Sequence, residues 1–279
     1  MFEAFTSGRD TLPRVQGFIV GVLLLLTLSA RAAEELPLKP PKNGGIYVIA
    51  HRGAHDGIPE NTLAAYEKAI ELGCDFVEVD IRTTKDGEFV SVHNRSIDAY
   101  VNGATGEVRD MTLAELKALD IGAKHGDKWI GTRIPTFEEI LDLVKGRCGI
   151  YLDLKDGAID AVAAMIIEKN MEHDVVWCIS PSEITPLRKA CPACIEMPDP
   201  GNESNLPAVI RRYRPRMMAP VWRDFSDTYA ETCHRAGITV FVDEDNESSW
   251  PDALAWGADG IQTDDPAGLI AFLTKIPPH

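Results

Sequence analysis

No Gly-x-Gly-x-x-Gly follows the first apolar strand of this sequence, so the signature of a dinucleotide-binding α/β fold is missing. Basic residues are scarce: 28 Lys and Arg stand against 43 Asp and Glu, a formal net charge of −15. So acidic a chain is poorly suited to nucleic acid or to tight docking on anionic lipid. An anionic substrate would need locally placed cations. No apolar run reaches the ~20 residues that cross a bilayer. The run over residues 17–30 follows Arg9 and Arg14, ends in Ala30-Arg31-Ala32, and holds no Cys for a lipoprotein anchor. This is the pattern of a secretory signal peptide over residues 1–32, with an uncleaved signal anchor as the rival reading. Cleavage predicts an exported protein, periplasmic or extracellular, with no stable membrane anchor.

A second Cys pair to complete a zinc ribbon with Cys191-Pro-Ala-Cys194 is also lacking. That motif lies after a helix pattern and before a strand, the reverse of a thioredoxin-like site, so a local structural disulfide competes with redox catalysis. Cys74, Cys148, Cys178 and Cys233 sit in apolar or Gly-flanked contexts, as small buried hydrophobes do. Neither internal repeats nor low-complexity tracts are present.

What is there is alternation. Beyond a polar tether (33–45), short apolar runs predict strands at 47–50, 76–81, 89–93, 149–154, 175–180, 195–197, 217–221, 239–242 and 260–261. Amphipathic stretches of helix length separate most of them, which implies parallel strands with crossover helices in one domain, 46–279. A closed barrel has eight places for these nine candidates, and 195–197 is the weakest. His51, Glu78, Asp80, His93, Asp153 and Asp264 all fall at or just past the carboxyl end of a strand candidate. A (β/α)8 barrel gathers such ends at one mouth, whereas an open sheet uses mainly the strands at its switch point.

In Phe76-Val-Glu-Val-Asp-Ile-Arg82, Glu78 and Asp80 share one strand face and Val77, Val79 and Ile81 the other. Two inward carboxylates repel unless a cation lies between them. A solvated edge strand is the plainer account, weakened by the aliphatic second face and by a third carboxylate, Asp153, followed by Lys155 on the same face. Oxygen-only ligation points to one divalent cation, Mg2+ or Ca2+. Of seven histidines, only His51 and His93 end strands, where a pair can share acid and base roles. His125, His173, His234 and His279 read as packing or surface residues, and His55 is ambiguous. Arg52 supplies a bidentate donor suited to phosphate oxygens.

These features resemble the glycerophosphodiester phosphodiesterase family. The stretches that carry the resemblance are HRGAHDGIPENTLAAYEKAIELGCDFVEVDIRTTKDGEFVSVHN, TLAELKALDIG, IPTFEEIL, YLDLK and GADGIQTDDP, in the family's order from residue 47 to about 266. The resemblance implies a TIM barrel, (β/α)8, with an insertion of about 94–133 after the third strand. It also implies an acid–base pair, His51 and His93, and metal ligands Glu78 and Asp80 with Glu60 a further metal-proximal carboxylate. Asp153 stands where the family has a metal-binding Glu, Lys155 matches its basic neighbour, and Arg52 a phosphate contact. Three departures are visible: Asn94 replaces an Asp, Asp153 is one methylene short of Glu, and FVDEDN lacks Trp-Thr-Val-Asn. The implied reaction is metal-dependent hydrolysis of a small glycerophosphodiester to glycerol 3-phosphate and an alcohol. A lysophospholipase D or sphingomyelinase-like phosphodiesterase, and a non-catalytic phospho-ligand protein, are the alternatives on the same barrel.

Overall fold

The computed structural model describes Met1 and residues 38–276; the signal peptide expected over 1–32 lies outside the described residues. Nine strands follow along the described chain: β1 (Tyr47–Ala50), β2 (Phe76–Thr83), β3 (Phe89–Ser91), β4 (Gly149–Leu154), β5 (Val175–Ile179), β6 (Ile195–Pro198), β7 (Met217–Met218), β8 (Thr239–Asp243) and β9 (Gly260–Thr263). Eight of them form a parallel sheet in the order β6-β5-β4-β2-β1-β9-β8-β7. Its two ends meet where Ala219 N donates to Pro198 O at 3.1 Å, which brings the sheet round into a barrel. Helices cover the outside, among them α1 (Leu63–Leu72), α3 (Phe137–Val144) and α4 (Ile159–Glu168).

The surplus strand is not the one expected. Ile195–Pro198 is a full barrel strand, parallel to β5, whereas β3 lies outside the ring and pairs antiparallel with β2. Chain length decides this. Residues 84–88 make a tight turn, with Gly87 at φ 88°, and are too few for the crossover that a parallel neighbour needs. The expected insertion therefore follows the third strand of the chain but only the second of the ring. It carries α2 (Leu113–Ala118) and buries a small core of its own, including Ile97, Val108, Leu116 and Ile121, against Val90 and Val92.

Alternation along the strands builds two cores. Val77, Val79 and Ile81 face the helices, while Phe76 turns inward onto Ile49, Tyr151 and Phe241. Tyr47, Phe76 and Phe241 meet with ring centroids 5.1–5.8 Å apart. Gly149 and Gly260 leave room for them, since a Cβ at either would fall 2.5 Å from the Phe76 or Phe241 ring. This aromatic plug fills the lower barrel, so the next inward residues of β2, Glu78 and Asp80, stand above it toward the mouth. The described part of the tether is held at the lower end, where Lys42 N donates to Asp75 Oδ1 (2.9 Å) and Asn43 Nδ2 to Gly73 O (3.1 Å). Cys191 and Cys194 are joined by a disulfide and buried, as the structural reading of that motif requires.

Candidate active site

The chain leaves β1 at His51 and turns at once. Gly53 N returns to Ala50 O, and Arg52 and Gly53 both take left-handed backbone, at φ 54° and 82°. Glycine is required at 53 for a second reason: a Cβ there would lie 2.7 Å from the Ala65 carbonyl carbon, so only a bare backbone can pack this loop onto α1. The turn aims Arg52 N at Glu78 Oε2 (2.7 Å) and the guanidinium at Glu60 Oε2 (3.0 Å), with its Nε 3.8 Å from Asp80 Oδ2. One loop thus fixes a backbone donor, a cation and an imidazole around the β2 carboxylates.

Glu78, Asp80 and Asp153 each offer an oxygen within 4.8 Å of the others. Glu78 and Asp80 are buried. Burial, then repulsion from Asp80 and Asp153, pushes the Glu78 carboxyl well above its ordinary range. Burial likewise raises Asp153 against the pull of Lys155. Asp80 goes the other way: burial opposes its charge, but Lys155, the Asn61 amide and His93 hold it below the usual range. Lys155 Nζ lies 2.5 Å from Asp153 Oδ2 and 3.1 Å from Asp80 Oδ1, an oxygen that has no well-oriented hydrogen bond. Crowded acids of this kind, one with an unsatisfied buried oxygen, fit a hard divalent cation, which prefers carboxylate oxygens.

Asn61, itself at φ 54°, donates to Asp80 Oδ2 (2.7 Å) while its own oxygen accepts from Tyr66 and Ser91 hydroxyls, both at 2.8 Å. His93 sits just past β3, its carbonyl held by Arg82 Nη2 (2.6 Å) and its Nδ1 3.0 Å from Asn94 Oδ1. At the adjoining ends of β1 and β9, His51 Nδ1 lies 2.7 Å from Asp264 Oδ1, and His55 Nε2 reaches the same oxygen at 3.2 Å. A cavity of about 780 Å³ opens beside them, lined by Asp243, Glu244 and Gln262.

All eight residues singled out in the sequence, His51, Arg52, Glu60, Glu78, Asp80, His93, Asp153 and Lys155, lie at this mouth. Glu60 lies next to the trio through Arg52. It stands outside the carboxylate trio, engaged by Arg52 and by the Tyr100 hydroxyl at 3.2 Å, so it orients the guanidinium. Asn61, Arg82 and the pairing of Asp264 with His51 escaped the sequence reading. Asp264 alone carried a signal, its place at the end of a strand. FVDEDN puts Asp243 and Glu244 into the wall, and burial raises both carboxyls above their usual range.

Comparison with known proteins agrees with this geometry. The profile of the Glycerophosphoryl diester phosphodiesterase family matches residues 51–175. A glycerophosphodiester phosphodiesterase from Caldanaerobacter subterraneus is 33% identical over 244 residues, covering 82% of this chain and 98% of the relative. The crystal structure of a glycerophosphodiester phosphodiesterase from Agrobacterium tumefaciens superposes with a TM-score of 0.69 at 26% identity, over 81% of this chain and 99% of that one. An Oleispira antarctica phosphodiesterase, solved in complex with the product sn-glycerol-3-phosphate, shares the fold with a TM-score of 0.73 at 24% identity, over 82% of this chain and 97% of that one. The chain belongs to the glycerophosphodiester phosphodiesterase family and is a phosphoric diester hydrolase.

Proposed function

We propose that this hydrolase cleaves small glycerophosphodiesters to glycerol 3-phosphate and an alcohol, with His51 and His93 as its acid–base pair. The observation that carries the reading is the gathering of Glu78, Asp80 and Asp153 within 4.8 Å, with Lys155 against Asp80 and Asp153, the Arg52 guanidinium beside Asp80 and the Arg52 N–H on Glu78. Bound there, Mg2+ or Ca2+ would act as a Lewis acid on a phosphoryl oxygen. Arg52 and Lys155 supply the remaining positive charge as negative charge grows on the phosphoryl group. One imidazole takes the proton of the nucleophile, a water or the glycerol 2-hydroxyl, and the other protonates the leaving alkoxide. The product named for the Oleispira antarctica relative agrees with glycerol 3-phosphate as the product here. The leader pattern at 1–32 supports action outside the cytoplasm.

The larger cavity, beside His51, is lined mainly by charged and polar side chains, a poor lining for an acyl chain. This favours water-soluble diesters over lysophospholipids. The test is glycerol 3-phosphate release from a panel of diesters after chelation and after adding back each cation. Activity should vanish with chelator and return with Mg2+ or Ca2+. His51→Ala and His93→Ala should each lose ~10²–10⁴ in rate. Rates within tenfold of wild type in both variants would defeat the assignment.

A further inference from the structure

A cleft of about 350 Å³ runs from Lys155 to the insertion, floored by Arg82 and walled by Arg95 and Arg109. Three arginines thus face two acids, Glu107 and Asp156, in a chain whose net charge is −15, while Lys155 at the inner end is also held by Asp80 and Asp153. Arg82 is paired with Asp156 and Arg109 with Glu107, whereas Arg95 has no ion-pair partner among the described residues. The Thr83 hydroxyl also borders the cleft and is buried without a hydrogen-bond partner. Gly157, at φ 127°, keeps the edge open, because a Cβ there would press on Thr83 Oγ1 at 3.0 Å. Unused guanidinium N–H groups and an unsatisfied hydroxyl are the donors that a phosphate or carboxylate accepts from.

The opposite lobe has the reverse character. Beside His51, Asp243, Glu244 and Asp264 line the larger cavity, and buried Gln262 leaves its Oε1 without a partner. An anion is repelled there, while hydroxyl groups find acceptors. A diester lying across the carboxylate trio would therefore put its uncharged glycerol on the His51 side and an anionic arm on the Lys155 side.

We propose that the cleft beside Lys155 is a subsite for an anionic group carried by the leaving alcohol, so that the preferred substrates bear a second negative charge on that arm. The inference rests on the proposed hydrolysis of glycerophosphodiesters and adds the substrate class to it. It also fixes direction: the leaving oxygen faces the His93 side of the site, so His93 is the group that protonates it, and His51 acts on the nucleophile.

Three substrates test this at saturating divalent cation: glycerophosphoinositol, glycerophosphoinositol 4-phosphate and glycerophosphocholine, each followed by glycerol 3-phosphate release. The 4-phosphate should exceed its parent in kcat/KM by about tenfold, mostly through KM, the size expected of one charge-assisted hydrogen bond. In Arg95→Gln/Arg109→Gln that advantage should fall to about parity. Hydrolysis of the parent should stay within about twofold of wild type, which also reports that the variant is folded. If the double variant loses the parent activity, Arg95→Gln alone is measured, and it should lose most of the advantage. Equal kcat/KM for parent and 4-phosphate in the wild type overturns the inference, as does an advantage that survives in the variant. Turnover of glycerophosphocholine alone overturns it while leaving the proposed reaction standing. Turnover of none of the three overturns the reaction itself and the subsite with it.

Discussion

Asp264 Oδ1 receives two imidazoles, His51 Nδ1 at 2.7 Å and His55 Nε2 at 3.2 Å, and the consequences for the two rings differ. A carboxylate at Nδ1 keeps the proton on that nitrogen and leaves Nε2 of a neutral His51 free to accept one, which is what a general base needs. The hydrogen bond from His51, working against partial burial, holds the Asp264 carboxyl below its ordinary range. Asp264→Asn should therefore lower kcat by about ten- to a hundredfold with KM within about threefold, while His55→Gln changes neither by more than about threefold. Steady-state kinetics on one diester decides it, and a KM effect larger than the kcat effect would place Asp264 in substrate binding instead. Nothing in the sequence could pair residue 51 with residue 264, because the contact is made by ring closure between the first and last strands. Glu78 and Asp80 were legible because their relation is local: two positions on one strand share a face whatever the fold.

At the scale of the element, the β1–α1 loop shows what a glycine is for. Gly53 and Gly57 both lie at positive φ, 82° and 65°, yet a Cβ at 53 meets the α1 backbone at 2.7 Å and one at 57 meets nothing within 4 Å. Gly57→Ala should cost only the backbone term, about 1 kcal/mol. Gly53→Ala adds a backbone clash to that term and should cost about 3 kcal/mol or more. It should also reduce kcat/KM, because the loop that moves carries His51, Arg52 and the Arg52 N–H on Glu78. Urea unfolding and kinetics of the two variants separate these terms, and equal losses at 53 and 57 would contradict the packing argument. Elements of this kind are partly readable. Thr112 with Glu115, and Thr136 with Glu139, are reciprocal caps whose spacing marks the starts of α2 and α3. The strand count was misread because β3 is as apolar as a ring strand, and only the brevity of residues 84–88 betrays the hairpin.

For the whole molecule, the alternation of strands and helices is enough for a parallel sheet covered by helices, and the spread of polar residues over many strand ends is what favours a closed barrel over an open sheet. Placement of polar residues at strand ends was enough to locate the mouth. What the pattern could not supply was the balance of charge inside it. Three acids converge there with Lys155 and Arg52, and burial with mutual repulsion raises Glu78 and Asp153 while Asp80 is held low. For the two raised carboxyls, the folded chain keeps protons that the unfolded chain has already released. Their stability contribution is full below the ordinary carboxylate range and is lost as pH climbs through the raised values. Asp80 has the opposite sign and matters only at lower pH. Chelated protein should therefore melt at progressively lower temperature as pH rises above the ordinary carboxylate range. Saturating Mg2+ or Ca2+ should reduce that slope, because the cation takes the place of the protons at the trio while buried Asp243 and Glu244 keep their own share, and should stabilise the fold by about 2.7 kcal/mol at a hundredfold excess over Kd. Glu78→Gln, neutral at every pH, should lessen the slope in chelator without any cation. Melting temperatures that rise with pH alike in chelator and in cation would mean that these carboxyls ionise freely, and that the barrel mouth does not hold its acids in the strained array from which the proposed chemistry starts.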